Sequence, residues 1–438
     1  MSFDQLQLAA PILQALQGCG YSAPTPIQAK AIPEILAGRD VLASAQTGTG
    51  KTAAFMLPTL QRLATLVKGS KGAPRVLVLT PTRELAAQVT DATRTYGRNL
   101  RLRSAVILGG VPYGPQFKSL GGPIDLVVGT PGRIIDHLER GSLDLSRLEV
   151  LILDEADRML DMGFKEDVEK ITAAAPAERQ TLLFTATLDR TMADLARRLL
   201  REPVRIDIAG KKVTHEHIVQ HLHVADNIHH KKRLLQHFAG DQAVTRAIIF
   251  SATKRDADSL ARELNAGGHR AAALHGDMSQ GARNRTVGDL RRGKIRLLVA
   301  TDVAARGLDV SGISHVINFD LPQSAEDYVH RIGRTGRAGA SGIAISFAGG
   351  DDALRLQRIE RYIGQRLNQS VISGLEPTRP LQTARPSGSG RPGKGRTGAA
   401  PGNFRGNKGK DFGARGERSA RPERKGPVIE YRSRRNGA

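Results

Sequence analysis

Short apolar runs punctuate the first half of the chain, each followed by a turn and then by a stretch with helical periodicity. They cover residues 41–45, 75–80, 105–108, 125–130, 150–154 and 181–184. These runs are rich in Val, Ile and Leu and barely alternate with polar residues, the pattern of parallel strands buried on both faces by helices. Strands that take turns with helical segments predict an α/β fold around a parallel sheet. Near residue 208 the pattern pauses at Ala209-Gly-Lys-Lys212, and 209–216 reads as a linker. It restarts with runs at 218–224, 247–250, 271–274, 297–301, 316–319 and 343–347. Two α/β domains of similar size are therefore expected, over 1–208 and 217–374. Phe184-Thr-Ala-Thr187 and Phe250-Ser-Ala-Thr253 look alike; a domain duplication or two similar strand-to-helix turns would each account for the likeness.

Beyond residue 374 the composition turns to Gly, Arg, Pro, Ser and Lys. Residues 376–438 hold 16 Lys and Arg against 5 Asp and Glu, a net of +11, half of the +22 carried by all 438 residues. Such a segment buries too little apolar surface to offset its ordering entropy, so 375–438 is expected to be a disordered basic tail. The charge calls for a polyanionic partner, nucleic acid or anionic membrane. No apolar run approaches the roughly 18 residues of a membrane span, and the Met-Ser-Phe-Asp start lacks the pattern of a signal peptide. Cys19 is the only cysteine, which excludes an internal disulfide and a CxxC zinc pattern. A soluble cytoplasmic protein is expected. Seven of the 12 histidines lie in 215–237; His215, His217, His221 and His223 share one parity, which reads as a solvated strand face before it reads as a metal site.

Chemistry concentrates at strand ends. Ala45-Gln46-Thr47-Gly48-Thr49-Gly50-Lys51-Thr52 follows one apolar run and precedes a helical stretch, the context of a phosphate-binding loop. Gly48 and Gly50 let the backbone curl around phosphate oxygens, and the following helix presents its positive N-terminus. Lys51 would reach the β- and γ-phosphates and Thr52 would ligate Mg²⁺. The generic loop has Gly where this chain has Ala45. Asp154-Glu155-Ala156-Asp157 follows another apolar run. There Asp154 can hold Mg²⁺ and Glu155 can orient and deprotonate an attacking water. Acids at a helix N-terminus are an equally good reading of this tetrapeptide alone; about 100 residues after a phosphate loop, catalysis is favoured.

Asp-Glu-Ala-Asp is the signature of the DEAD-box RNA helicases, and residues 1–372 resemble that family. The resemblance implies two tandem RecA-like domains, ATP and Mg²⁺ as ligands, and RNA, duplex or single-stranded, held through its backbone. Gly20-Tyr-Ser-Ala-Pro-Thr-Pro-Ile-Gln28 resembles the Q motif, with Phe3 upstream. Gln28 would read the adenine edge, as glutamine does elsewhere, and Tyr21 would stack on the base. His330-Arg-Ile-Gly-Arg-Thr-Gly-Arg337 resembles motif VI, which makes Arg334 and Arg337 arginine fingers and His330 a link to the acidic motif. In a motif V-like stretch Gly307 would face the phosphates and Asp309 the ribose. Thr185-Ala-Thr187 stands where the family has Ser-Ala-Thr, and with Asp157 would couple hydrolysis to strand separation.

For RNA the resemblance points to Pro81, Thr82 and Arg83, to Gly109 and Gly110, and to Thr130, Pro131, Gly132 and Arg133 in the first domain. In the second it points to Gln280, Arg283 and Thr301. Phosphate and sugar contacts of this kind carry no sequence information and are salt-sensitive. Either Thr-Pro turn alone reads better as a helix cap. The tail, with Phe404, Phe412 and Tyr431 among its arginines, reads as an RNA tether or as a solubilising extension. The start and the plain basic tail look most like the bacterial RhlE-type branch. Unwinding of short duplexes by a monomer, with RNA-processing or ribosome-assembly proteins as partners, is the expectation. An RNA clamp or annealing scaffold and a DNA translocase are the rivals.

Overall fold

The computed structural model describes residues 2–45, 48–65, 70–208, 217–305, 308, 310, 312–336 and 340–381. Expectations for Gln46, Thr47, Gly307, Asp309, Arg337, the 209–216 linker and the chain beyond 381 lie outside those residues. The described residues fall in one compact unit.

The first lobe contains β1 Val41–Ser44, β2 Ser70–Lys71, β3 Val76–Leu79, β4 Ser104–Ile107, β5 Pro123–Ile124, β6 Leu126–Gly129, β7 Val150–Leu153, β8 Gln180–Thr185 and β9 Val204–Asp207. Seven of them form a sheet in the order β4-β6-β3-β7-β8-β1-β9, every neighbouring pair parallel. β2 and β5 make a small antiparallel ribbon. The strands barely alternate because both faces are dry: Val76 and Val78 belong to the core on one face, Leu77 and Leu79 to the core on the other. β9 escaped the sequence pattern because Val-Arg-Ile-Asp does alternate; it is an edge strand whose Arg205 and Asp207 are exposed.

The second lobe repeats the plan with β10 Ile218–Val224, β11 Ala247–Phe250, β12 Ala271–Leu274, β13 Leu297–Ala300, β14 His315–Asn318, β15 Gly342–Ala348 and β16 Asn368–Gln369. Their order is β12-β13-β11-β14-β15-β10-β16, again parallel. Phe184 lies one residue before the end of the fifth strand of its sheet's order and Phe250 ends the third, so the two Ala-Thr turns are similar turns at unlike places. The likeness is no trace of duplication.

Two expectations change. The odd-numbered face of β10 is not solvated throughout: Val219 is exposed, but His223 is buried against Phe238 and Phe347, and burial pushes its pKa down to about 4. His221 bonds Ser370 instead of a metal, and no His/Cys/Asp/Glu cluster fit for a metal occurs among the described residues. Residues 375–381, placed in the tail by composition, are held on the second lobe. The backbone N–H groups of Thr378 and Arg379 donate to Asp226, His230 Nε2 donates to Leu375 O at 3.1 Å, and Leu381 packs on the core. Among the described residues no helix is long and apolar enough to cross a membrane.

In each sheet the functional turns leave the C-terminal strand edge, where open α/β sheets bind ligands. β1, β8 and β7 are neighbours, so Ala45, Thr185 and Asp154 emerge side by side. β3, β6 and β4 bring Thr80, Thr130 and Gly109 to the other half of the same edge.

Candidate functional site

The loop after β1 ends in helix Lys51–Ala64, whose cap Gly50 has φ 92°. That left-handed conformation favours glycine, and space requires it too: a Cβ at Gly50 would lie 2.4 Å from Gln28 Nε2. Gln28 is 1% exposed; its amide oxygen accepts from Thr25 N at 2.9 Å and its amide nitrogen donates to Gly50 O at 3.2 Å. Its amide therefore braces the loop and keeps a second N–H and a second lone pair for a base edge. Lys51 is buried, and its ammonium donates to Ala45 O at 2.9 Å. Phe3, Tyr21 and Tyr96 form an aromatic row, with the two tyrosine hydroxyls 3.1 Å apart.

At the end of β7, Asp154 is buried and its Oδ1 has no hydrogen-bond partner. Burial, opposed by Lys51, pushes its pKa up to about 7. Glu155 adopts φ 52°, rare for a side chain with a Cβ and typical of functional turns. Asp157 accepts from Ala186 N, Thr187 N and Thr187 Oγ1 at 3.0–3.2 Å, joining the acidic turn to the turn after β8. Thr185 donates to Thr187 O at 2.8 Å, so the hydroxyl shared with serine is the part that works.

A cavity of about 730 Å³ opens between the lobes, a size suited to a nucleotide. The first lobe lines it with Tyr21, residues 48–52, Asp154, Glu155 and Thr187; the second with Leu308, Glu326, His330, Arg334 and Tyr362. Arg334 is almost buried, and its guanidinium donates to Leu308 O at 2.8 Å and to His330 O at 3.3 Å. Buried ion pairs cross between the lobes: Arg158 to Asp327 at 2.6 Å and Arg283 to Glu84 at 2.9 Å. Gln280 adds bonds to Arg83 and Glu84.

Residues 25–195 match the family described as DEAD/DEAH box helicase, and residues 226–339 match the helicase conserved C-terminal domain. The chain is 46% identical over 376 residues to the ATP-dependent RNA helicase SrmB of Haemophilus influenzae, covering 86% of each. It is 45% identical to the DEAD-box ATP-dependent RNA helicase CshA of Geobacillus kaustophilus, covering 84% of this chain and 78% of that one. This chain belongs to the DEAD-box RNA helicases. Solved structures agree: Saccharomyces cerevisiae Dbp5 bound to RNA and ADP BeF3 superposes with a TM-score of 0.77 at 32% identity, covering 84% of this chain and 95% of that one. Mss116p bound to ssRNA and AMP-PNP gives 0.77 at 27% identity, covering 86% and 81%. The helicase thus has the tandem RecA-like architecture expected of it.

The first-lobe RNA candidates gather at one edge of the helicase. Thr82 caps helix Arg83–Tyr96, accepting from Leu85 N at 3.3 Å. Gly110, at φ 67°, lies under Arg83: a Cβ there would fall 2.3 Å from the guanidinium. Gly109 N faces Thr130 Oγ1 at 3.5 Å, while Pro131 and Gly132 open the next helix and Arg133 lies over the Tyr113 ring at 4.0 Å. Pro81 is buried beside Thr80 and Thr82. In the second lobe Thr301 ends β13 almost buried. Gln280 and Arg283 of the second lobe reach across to Arg83 and Glu84 of the first. Arg158 and Asp327 were missed altogether; each lies just outside a motif and carries no local signal. Arg331, first of the three motif VI arginines, is structural: it grips Asp302 with two bonds of 2.6 and 2.7 Å and donates to Asp320 O.

Asp154 and Thr52 fit a divalent cation. The orphaned carboxylate oxygen beside Lys51 is what such an ion would complete, and Mg²⁺ there would neutralise phosphate charge. Because burial raises the Asp154 pKa to about 7, binding of Mg²⁺ below that pH must displace a proton. Mg²⁺ affinity is therefore expected to fall about tenfold per unit as pH drops below that value, and to level off above it. Mg²⁺ titrations monitored through a fluorescent ADP check this. An identical pH slope in Asp154→Asn would show that the proton sits elsewhere.

Proposed function

We propose that this helicase separates short RNA duplexes and remodels RNA or RNA–protein complexes by ATP-driven closure of its two lobes. One observation carries the reading: a single cavity lined by Lys51, Thr52, Asp154 and Glu155 from one lobe and by Arg334 from the other. Tyr21 and Phe3 stand where they can meet the base. The motif from Ala45 through Gln46, Thr47, Gly48 and Thr49 to Gly50 binds the phosphates, and Gln28 braces Gly50. Lys51 leaves Ala45 O for the β- and γ-phosphates. Glu155 takes the proton of the attacking water as the β–γ bond breaks, giving ADP and phosphate. Arg334, with Arg337, steadies the charge on the transferring group; Gly307 and Asp309 complete the nucleotide's far side.

Closure is sensed by Asp157, Thr185, Thr187 and His330, and both lobes then grip one RNA strand through backbone contacts. The first lobe holds it at Arg83, Gly109, Gly110, Thr130 and Arg133. A passive clamp gains no support, since Glu155 and Arg334 share the cavity with the phosphate loop. We place the helicase in the cytoplasm as a monomer, with its tail tethering RNA and with RNA-processing or ribosome-assembly proteins as partners. The opening residues and basic tail support an RhlE-type branch, although the relatives named above are SrmB and CshA. ATP hydrolysis measured with RNA, with DNA and with neither tests the reading. RNA alone is expected to stimulate; equal stimulation by DNA would turn the reading toward a translocase.

A further inference from the structure

Helices Tyr113–Leu120 and Pro131–Glu139 start at the RNA edge of the first lobe and run away from it. Along them lies a column of flat groups. The Arg133 guanidinium sits 4.0 Å from the centre of the Tyr113 ring, and Tyr113 stacks on Phe117 one turn down, with 21° between planes and 5.7 Å between centres. The column stops at Phe117, which is 39% exposed, unusual for so large an apolar ring. Phe117 lines a cavity of about 420 Å³ together with Lys71, Arg140, Ser142 and Asp144. Arg140 follows the second helix, two turns on from Arg133, and its guanidinium reaches back over the Tyr113 ring, 4.7 Å from its centre, while also lining the cavity. The cavity is therefore connected to the RNA edge by a stack of rings and arginines, while lying at the opposite ends of both helices.

Its chemistry is specific. One ring is open, two cations stand at the rim, and the one acid, Asp144, is held by Ser146 N at 2.8 Å and Ser146 Oγ at 2.7 Å. Beside Phe117, His137 is fully buried, its ring 5.1 Å from the phenyl centre. The Ser142 hydroxyl donates to His137 O at 3.1 Å, so its oxygen accepts from Nδ1 at 2.7 Å. Nε2 has no partner among the described residues, and His137 backs Phe117 from the core without lining the cavity. Burial, with Arg133 and Arg140 nearby, lowers the pKa of the imidazole. An aromatic face and phosphate-binding cations together match a nucleotide: base on Phe117, phosphate between Lys71 and Arg140.

We propose that this cavity is a subsite for an unpaired nucleotide of the RNA strand where it runs past the grip at Arg133. It rests on the reading of Arg133 as an RNA contact. An acidic peptide would use the cations but not the open ring; the column of rings favours a base.

The test is RNA affinity of the full chain as a function of strand length, with a non-hydrolysable ATP analogue present. A strand only long enough for the inter-lobe grip is compared with longer ones. Wild type is expected to gain affinity with length. Phe117→Leu, which keeps apolar volume, and Arg140→Ala should lose about fivefold to a hundredfold of that gain, with the short strand bound as before. The short strand also reports folding. A 4-thiouridine placed beyond the grip should crosslink near Phe117 in wild type and not in Phe117→Leu. Equal length dependence in all three proteins would overturn the subsite. Failure of wild type to bind even the short strand would instead remove the RNA reading beneath it. A gain lost equally when Lys118, which lies outside the cavity lining, is changed to Ala would reduce the effect to surface charge and also overturn the subsite.

Discussion

Arg334→Ala is expected to lower kcat for RNA-stimulated ATP hydrolysis by about 10³–10⁵-fold, the range for loss of an arginine finger. The guanidinium is held by Leu308 O and His330 O on the wall of the inter-lobe cavity that faces the phosphate loop. Alanine removes a charge that matters only when negative charge develops on the transferring phosphoryl, so nucleotide affinity should change far less than kcat. Lysine should rescue poorly, because an ammonium cannot reproduce the planar fork. Steady-state hydrolysis and ADP binding, measured on Arg334→Ala and Arg334→Lys, separate the two effects. A kcat within a few-fold of wild type would remove Arg334 from the reaction. Reduced affinity with an unaltered kcat would make it a binding residue.

Glu155→Gln should cost about 10²–10⁴ in the hydrolysis step, the contribution usual for a positioned general base. Gln is isosteric and preserves the backbone turn at φ 52°, so the fold, ATP binding and RNA binding should persist. Hydrolysis is proposed to open the clamp; the variant should therefore hold RNA longer in the presence of ATP than wild type does. Single-turnover hydrolysis and RNA dissociation, followed in the same sample, read both consequences. Equal hydrolysis rates in variant and wild type would exclude Glu155 as the base, and fast RNA release from an inactive variant would uncouple hydrolysis from opening.

What was legible in the sequence is what is local. A phosphate loop is eight consecutive residues between a strand and a helix, and Asp154-Glu155 sits at the end of one apolar run; each carries its context with it. The parallel sheets were legible because burial on both faces removes alternation, as Val76 to Leu79 show by serving two cores. β9 was lost for the converse reason, having one wet face. The inter-lobe latch was hidden because Arg158 and Asp327 are 169 positions apart, and nothing near Arg158 distinguishes an ion pair from a solvated charge. That Gln28 also braces Thr25 and Gly50 was hidden, a geometry that only the fold creates. The tail was started too early because composition cannot see that Asp226 captures the backbone at 378 and 379.

The most direct test is a crystal structure of the helicase with single-stranded RNA and an ADP–fluoride mimic of the γ-phosphate. Arg334 should leave Leu308 O and lie about 3 Å from the mimic, on the side opposite Lys51. An Arg334 still bonded within its own lobe and remote from the mimic, with RNA in place, would contradict a catalytic site shared by the two lobes.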